Sequence, residues 1–254
     1  MELTVLGSSG TWPNADTATS GYLVQHDGFN LWMDAGTGTL ANLQQYIDIP
    51  DLHAIVISHE HPDHFVDLYP AFYAWHYGEL GEPGLPVFVP TDFSQRLADL
   101  VSIDSQVAMR SAFAFTEVAP GEAFEVGPFR IKTEPMAHLG LPALGFRVAA
   151  DGQVLAYTGD TGPTHHVEEL ARNADLLLAE ATWQDRDALL PFHLSSRRPP
   201  GDLAAIDYAH RPRLPVQLEE HGPSAVIVHI AHRDQQDNEL LAALELNRDF
   251  FTRR

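Results

Sequence analysis

Short apolar runs bounded by glycine, aspartate or proline recur along this chain, and they predict strands. Leu3-Thr4-Val5-Leu6 is the first, ended by the turn Gly7-Ser8-Ser9-Gly10. Tyr22-Leu23-Val24 and Asn30-Leu31-Trp32-Met33 predict a hairpin around Asp27-Gly28. Ala54-Ile55-Val56-Ile57 is continuous rather than alternating, the mark of a strand buried on both faces. Further strands are expected at Val87–Val89, Phe129–Lys132, Leu144–Ala149, Val154–Tyr157, Leu176–Leu178 and Ala225–Val228. Helical spacing appears after Gly38, through Leu40, Leu43 and Tyr46. It returns through Leu68, Phe72 and Trp75, from Thr91 (a plausible N-cap) to Val101, in Val167–Arg172 and in Glu239–Phe250. The prolines of 197–223 break any long helix, so that stretch reads as loop, short helix, loop. Strands fall into two runs, each closing in helices. This order predicts two sheets packed face to face with helices outside, as a single domain over residues 1–254.

Composition narrows the function. The chain has 254 residues, with 15 Lys plus Arg against 35 Asp plus Glu and a formal net charge of −20. Lys132 is the single lysine. A protein gripping a long nucleic acid displaces counterions with a basic stripe, and none is visible, so the expected substrate is small. Cysteine is absent, which excludes disulfides, thiol catalysis and iron–sulfur clusters. No apolar run is long enough for a membrane span. The first residues carry no basic segment ahead of an apolar one, so a cytoplasmic location is expected.

The chemistry concentrates after the buried strand, in Ser58-His59-Glu60-His61-Pro62-Asp63-His64. In extended chain, residues two apart point the same way, so His59 and His61 can address one metal. Pro62 keeps His61 out of helical geometry. Asp63 and His64 fall where a helix should begin, and can turn to a second metal. Imidazole with carboxylate suits zinc, with manganese or iron as substitutes. Other apolar runs also end in metal-binding side chains: His138 after Lys132–Ala137, Asp160 after Val154–Gly159, and His229 after Ala225–Val228. His232 rivals His229. Asp34, before Ala35-Gly36-Thr37-Gly38, is placed to support a ligand from behind. His26, His53, His76, His210 and His221 are read without a role, and His165-His166 as a solvent-facing helix start.

On these residues the chain resembles the metallo-β-lactamase-fold hydrolases. The resemblance implies an αββα sandwich with a dinuclear site at one sheet edge. His59, His61 and His138 would hold the first metal, Asp63, His64 and His229 the second, and Asp160 would bridge them. Leu6–Thr11, Ser20–Leu23, Tyr157–Gly162, Leu178–Thr182 and His193-Leu194-Ser195 resemble the branch of tRNA 3′-processing endonucleases (RNase Z) and bacterial cyclic-nucleotide phosphodiesterases. The endonucleases usually carry histidine before Glu-Ala-Thr, where this chain has Ala179, and a glycine- and proline-rich arm that is not seen here. The resemblance therefore implies hydrolysis of a small or cyclic nucleotide by a hydroxide shared between two divalent ions. His193 would serve as general acid, and Asp63 would take a proton from the nucleophile. An RNase Z-like endonuclease, a lactone or thioester hydrolase and a non-catalytic metal-binding domain are the competing readings. A homodimer stays open.

Overall fold

A hairpin sets the first sheet. Asp27 and Gly28 both have positive φ, 47° and 75°, as the tight turn between twisted antiparallel strands requires. The computed structural model describes residues 1–182, 191–194 and 226–231, the last through its backbone. In the first sheet β1 (Glu2–Gly7), β2 (Gly21–His26), β3 (Phe29–Ala35), β4 (Ala54–Val56), β5 (Leu85–Pro90) and β6 (Phe113–Val118) lie in that order. The first three strands are antiparallel and the rest join in parallel. The second sheet holds β7 (Ala123–Val126), β8 (Phe129–Pro135), β9 (Leu144–Ala150), β10 (Gln153–Tyr157), β11 (Leu176–Ala181) and β12 (Val226–Ala231), again in chain order. Its first four are antiparallel, and β10, β11 and β12 are parallel.

Strand alternation sorts the side chains into three layers. Tyr22, Val24, Leu31, Met33 and Val56 of the first sheet meet Phe129, Ile131, Phe146, Val148 and Leu178 of the second in one core. The opposite face of the first sheet, with Leu23, Trp32, Ile55 and Val87, is covered by helices. These are α1 (Thr39–Leu43), α2 (Pro62–Phe65), α3 (Leu68–Phe72), α4 (Phe93–Asp99) and α5 (Ile103–Ala112). On the outer face of the second sheet, Ala156 and Leu177 pack against Val167 and Leu170 of α6 (His165–Ala171). The arrangement is the expected αββα sandwich.

Some elements differ from the sequence reading. The helix expected through Leu68, Phe72 and Trp75 is broken into α2, α3 and a π-helical turn at Tyr73–Tyr77. The helix expected from Thr91 is shorter. Asp92, at φ 66°, precedes α4 without a side-chain cap, so Thr91 caps nothing. β6, β7 and α5 were not legible, because Phe113–Val118 and Ala123–Val126 mix apolar and charged residues and the surface of α5 carries Ile103 and Val107. The stretch 197–223, the helix at Glu239–Phe250, Ser195, His210, His221 and His232 lie outside the described residues.

Candidate metal centre

Chain from both sheets converges where β4 runs out. β4 stops at Val56, one residue before the end of the expected strand, and Ile57 and Ser58 continue it as irregular chain. The Ile57 amide donates to Phe88 at 2.9 Å, and Ser58 accepts from the Leu144 amide of the other sheet at 2.9 Å. His59 is thereby fixed in the gap between the sheets. His61 is extended, at φ −80° and ψ 139°, as Pro62 dictates. Pro62 then opens α2, and the short helix turns Asp63 and His64 inward, where both are buried. Gly36 makes room: a Cβ there would stand 1.9 Å from the Asp63 carbonyl oxygen and 2.2 Å from Thr19 Oγ1.

Three groups of donors meet, and Asp160 belongs to all of them. One atom each of His59, His61, His138 and Asp160 lies within 4.8 Å of the others. Asp63, His64 and Asp160 make a second such group, and Asp160, Glu180 and His193 a third. His61 Nδ1 is 3.1 Å from His59 Nε2 and 2.9 Å from His138 Nε2. Asp160 Oδ2 stands 3.9 Å from His59 Nε2 and 3.8 Å from His138 Nε2, while Oδ1 is 3.2 Å from His64 Nε2. Donors on a tetrahedral ion with bonds of about 2.0–2.2 Å are separated by roughly 3.3–3.6 Å, and these spacings bracket that value.

The surroundings decide which ring nitrogen faces inward. Asp34 is wholly buried at the end of β3, in a left-handed conformation with φ 55°. Its Oδ1 accepts from the Ser58 amide, and Oδ2 accepts from Ser58 Oγ and Tyr157 Oη, each at 2.7 Å. Oδ2 also takes the Nδ1 hydrogen of His64 at 2.6 Å. His138 Nδ1 faces the Phe192 carbonyl at 2.9 Å; a carbonyl can only accept, so that nitrogen carries the hydrogen. In both rings the neutral form then presents Nε2 to the centre, the task expected of groups behind a metal ligand. His64 Nε2 is buried with no well-aligned hydrogen bond: Asp160 Oδ1 lies 3.2 Å and Asp63 Oδ2 3.7 Å away. A buried polar atom left this way among carboxylates fits a cation's donor set.

Electrostatics separate the histidines. Burial holds His59 well below the ordinary imidazole range and lowers His138 as well. Burial acts the same way on His64, but Asp160 and Asp34 outweigh it and raise His64 well above that range. At His193, burial opposes the charge and the hydrogen bond of Glu180 is stronger, so its affinity for a proton is raised. Glu180 is itself raised by burial.

The centre brings together the predicted His59, His61, Asp63, His64, His138 and Asp160, and sets His193 beside them. His229 is different. It sits at the fourth position of β12, in register with Ala179, and the strand continues to Ala231. The inference that it directly ends its strand is therefore corrected; its assignment as a ligand rests on the resemblance. Glu180 was missed as a site residue. Its signal was a carboxylate at the end of the apolar run Leu176–Ala179, and its Oε1 accepts from His193 Nδ1 at 2.9 Å and from the Thr161 amide at 2.7 Å. The roles of Tyr157 and the Phe192 carbonyl had no sequence signal. His26 pairs with Asp151 at 3.1 Å, and the His53 ring stacks on Phe29, both away from the centre. No helix among the described residues is long and apolar enough to cross a membrane.

Comparison with known proteins identifies the family and the fold. A family model described as "Beta-lactamase superfamily domain" matches residues 29–214. The probable metallo-hydrolase YhfI of Bacillus subtilis is 28% identical over 200 residues, covering 77% of this chain and 79% of that protein. Its crystal structure, titled as a metallo-beta-lactamase fold protein, superposes with a TM-score of 0.67 at 27% identity, over 76% of both chains. Uncharacterized protein Rv1339 of Mycobacterium tuberculosis is 33% identical over 205 residues, covering 77% of this chain and 73% of its own. The short form of human tRNase Z shares the fold, with a TM-score of 0.66 at 20% identity over 78% of this chain and 85% of that one.

Proposed function

Since this chain belongs to the beta-lactamase superfamily and has its metallo-hydrolase fold, we propose that it hydrolyses small phosphodiesters, cyclic or short nucleotides among them, with two divalent ions, most simply zinc. His59, His61 and His138 would hold one ion, Asp63, His64 and His229 the other, with Asp160 shared. Such ions, when bound, lower the pKa of a water and hold a phosphate oxygen. The observation that carries the reading is the meeting of the ligand groups with the Glu180–His193 pair at one carboxylate, Asp160.

The chain's own residues do the rest. Glu180 holds the Nδ1 hydrogen of His193 and favours its protonated form, so His193 can give a proton to the departing ribose oxygen. Thr182 and the Thr161 amide hold the Glu180 carboxylate in place. Asp34 and the Phe192 carbonyl keep His64 and His138 turned toward the centre. Asp63 is a weak base as a ligand carboxylate, and would take the nucleophile's proton. A small substrate follows from the charge of −20 and from the single lysine, Lys132, whose ammonium is occupied by Glu134 at 2.5 Å.

The test is turnover of bis-p-nitrophenyl phosphate, cyclic AMP, a precursor tRNA, a lactone and a thioester, each with and without chelator. Chelator-sensitive hydrolysis of the small phosphodiesters supports the proposal. Activity confined to the lactone or thioester, or to tRNA, moves the same centre to another substrate, and no activity on metal-loaded protein refutes catalysis.

A further inference from the structure

Away from the centre, α6 and β8 assemble a second set of nitrogen and oxygen donors. His165 and His166 begin α6 behind Thr164, whose hydroxyl accepts from the His166 amide at 3.4 Å. Their rings lie side by side, with centroids 4.0 Å apart at 36°. Glu169 follows His165 by four residues and His166 by three, the spacings that share a helix face. One donor atom of each of these three residues lies within 4.8 Å of the other two.

The buried Glu134 of β8 closes the set from below. His166 Nδ1 is 3.5 Å from Glu169 Oε2 and 3.8 Å from Glu134 Oε2. That nitrogen is buried and has no hydrogen-bond partner. Buried polar atoms are ordinarily paired. Here both oxygens stand just beyond hydrogen-bonding reach, at separations close to the roughly 3.3–3.6 Å of two donors on one zinc-like ion. Lys132 engages Glu134 through its other oxygen, Oε1.

We propose that His165, His166 and Glu169, with Glu134 as the fourth donor, hold a third divalent ion of the zinc class. It shares no donor with the centre around Asp160. Imidazole and carboxylate together are the donor set such an ion prefers. Glu134 lies four residues before His138, and His165 five residues after Asp160. An ion between them clamps α6 onto β8 and ties together the segments that carry two ligands of the centre. Its effect belongs to stability rather than to turnover.

The experiment dialyses zinc-loaded full-length protein against rising free zinc and counts ions by elemental analysis. Wild type is compared with a His166→Ala/Glu169→Gln double variant, with His165→Ala and with Asp160→Ala. The double variant should hold one ion fewer than wild type, and Asp160→Ala should keep the ion at α6 while losing those of the centre. A failure of the dinuclear reading alters the wild-type count but not this difference. His165 is exposed, so His165→Ala leaves packing intact; it should weaken one ion by about tenfold or more. Should the double variant fail to fold, this single variant decides the matter. Unchanged zinc binding in every variant that folds, other than Asp160→Ala, would overturn the proposal.

Discussion

Asp34 Oδ2 receives the Nδ1 hydrogen of His64 at 2.6 Å, and the same oxygen also accepts from Ser58 Oγ and Tyr157 Oη. One buried carboxylate thus sets the orientation of the His64 ring and ties both sheets to it. Asn in place of Asp34 has a single acceptor oxygen and no charge. Asp34→Asn should therefore weaken metal binding by about 10–100-fold. It should also cost about 1–3 kcal/mol of stability through donors left unsatisfied. Zinc competition with a chromophoric chelator measures the first and denaturant unfolding the second. Wild-type affinity in the variant would remove Asp34 from the support of His64.

Asp160 joins three donor groups, so its loss should not be local. Asp160→Ala is expected to lose much of both ions of the centre while His59→Ala chiefly loses one. Elemental analysis of protein loaded in parallel distinguishes the cases. An ion content in Asp160→Ala equal to that of wild type would show that the carboxylate does not bridge.

His193 is held by Glu180 through Nδ1, and its contribution should lie in the transition state. His193→Ala should keep its metals and lose roughly 10²–10⁴-fold in turnover on a ribose ester. The loss should shrink for p-nitrophenyl esters, whose leaving group departs without a proton. Glu180→Gln should show the same leaving-group dependence more weakly. Equal losses on both substrates would assign His193 to phosphate positioning instead.

Gly36 lies against the metal loop, where a Cβ would collide with backbone and cannot be relieved by a rotamer change. Gly36→Ala should cost about 1–3 kcal/mol or more and lower metal affinity by displacing Asp63. Gly28→Ala, where nothing lies within 4 Å, is the control. Its positive φ should cost about 1 kcal/mol without altering metal binding. Thermal melting with and without zinc reads both variants.

Substrate size should follow the surface charge. With a formal charge of −20, binding of a precursor tRNA should be weak and its processing slow beside that of a small phosphodiester. Rates for both substrates at several salt concentrations test this. Efficient tRNA cleavage with a steep salt dependence would instead require extensive phosphate contacts.

The candidate metal loop is legible in the chain alone, because His59, His61, Asp63 and His64 crowd into six positions after a continuous apolar run. Such crowding is local and is read from spacing alone. It likewise marked His138 and Asp160, since a metal-binding side chain where an apolar strand ends breaks the pattern visibly. The two-sheet sandwich followed from the order of strands and helices. Tertiary structure alone decided which distant groups meet. Tyr157 reaches Asp34 across 123 residues, the Phe192 carbonyl reaches His138 across 54, and Glu180 reaches His193 across a gap of 13. No periodicity encodes those contacts, because they are made between sheets and loops whose positions depend on packing of the whole core. The tertiary structure also decided that His166 Nδ1 lies beside Glu134. From the sequence His166 opens a helix on the surface; β8 beneath α6 turns one nitrogen into a buried, unpaired donor, because Val167 and Leu170 hold that helix down on the sheet.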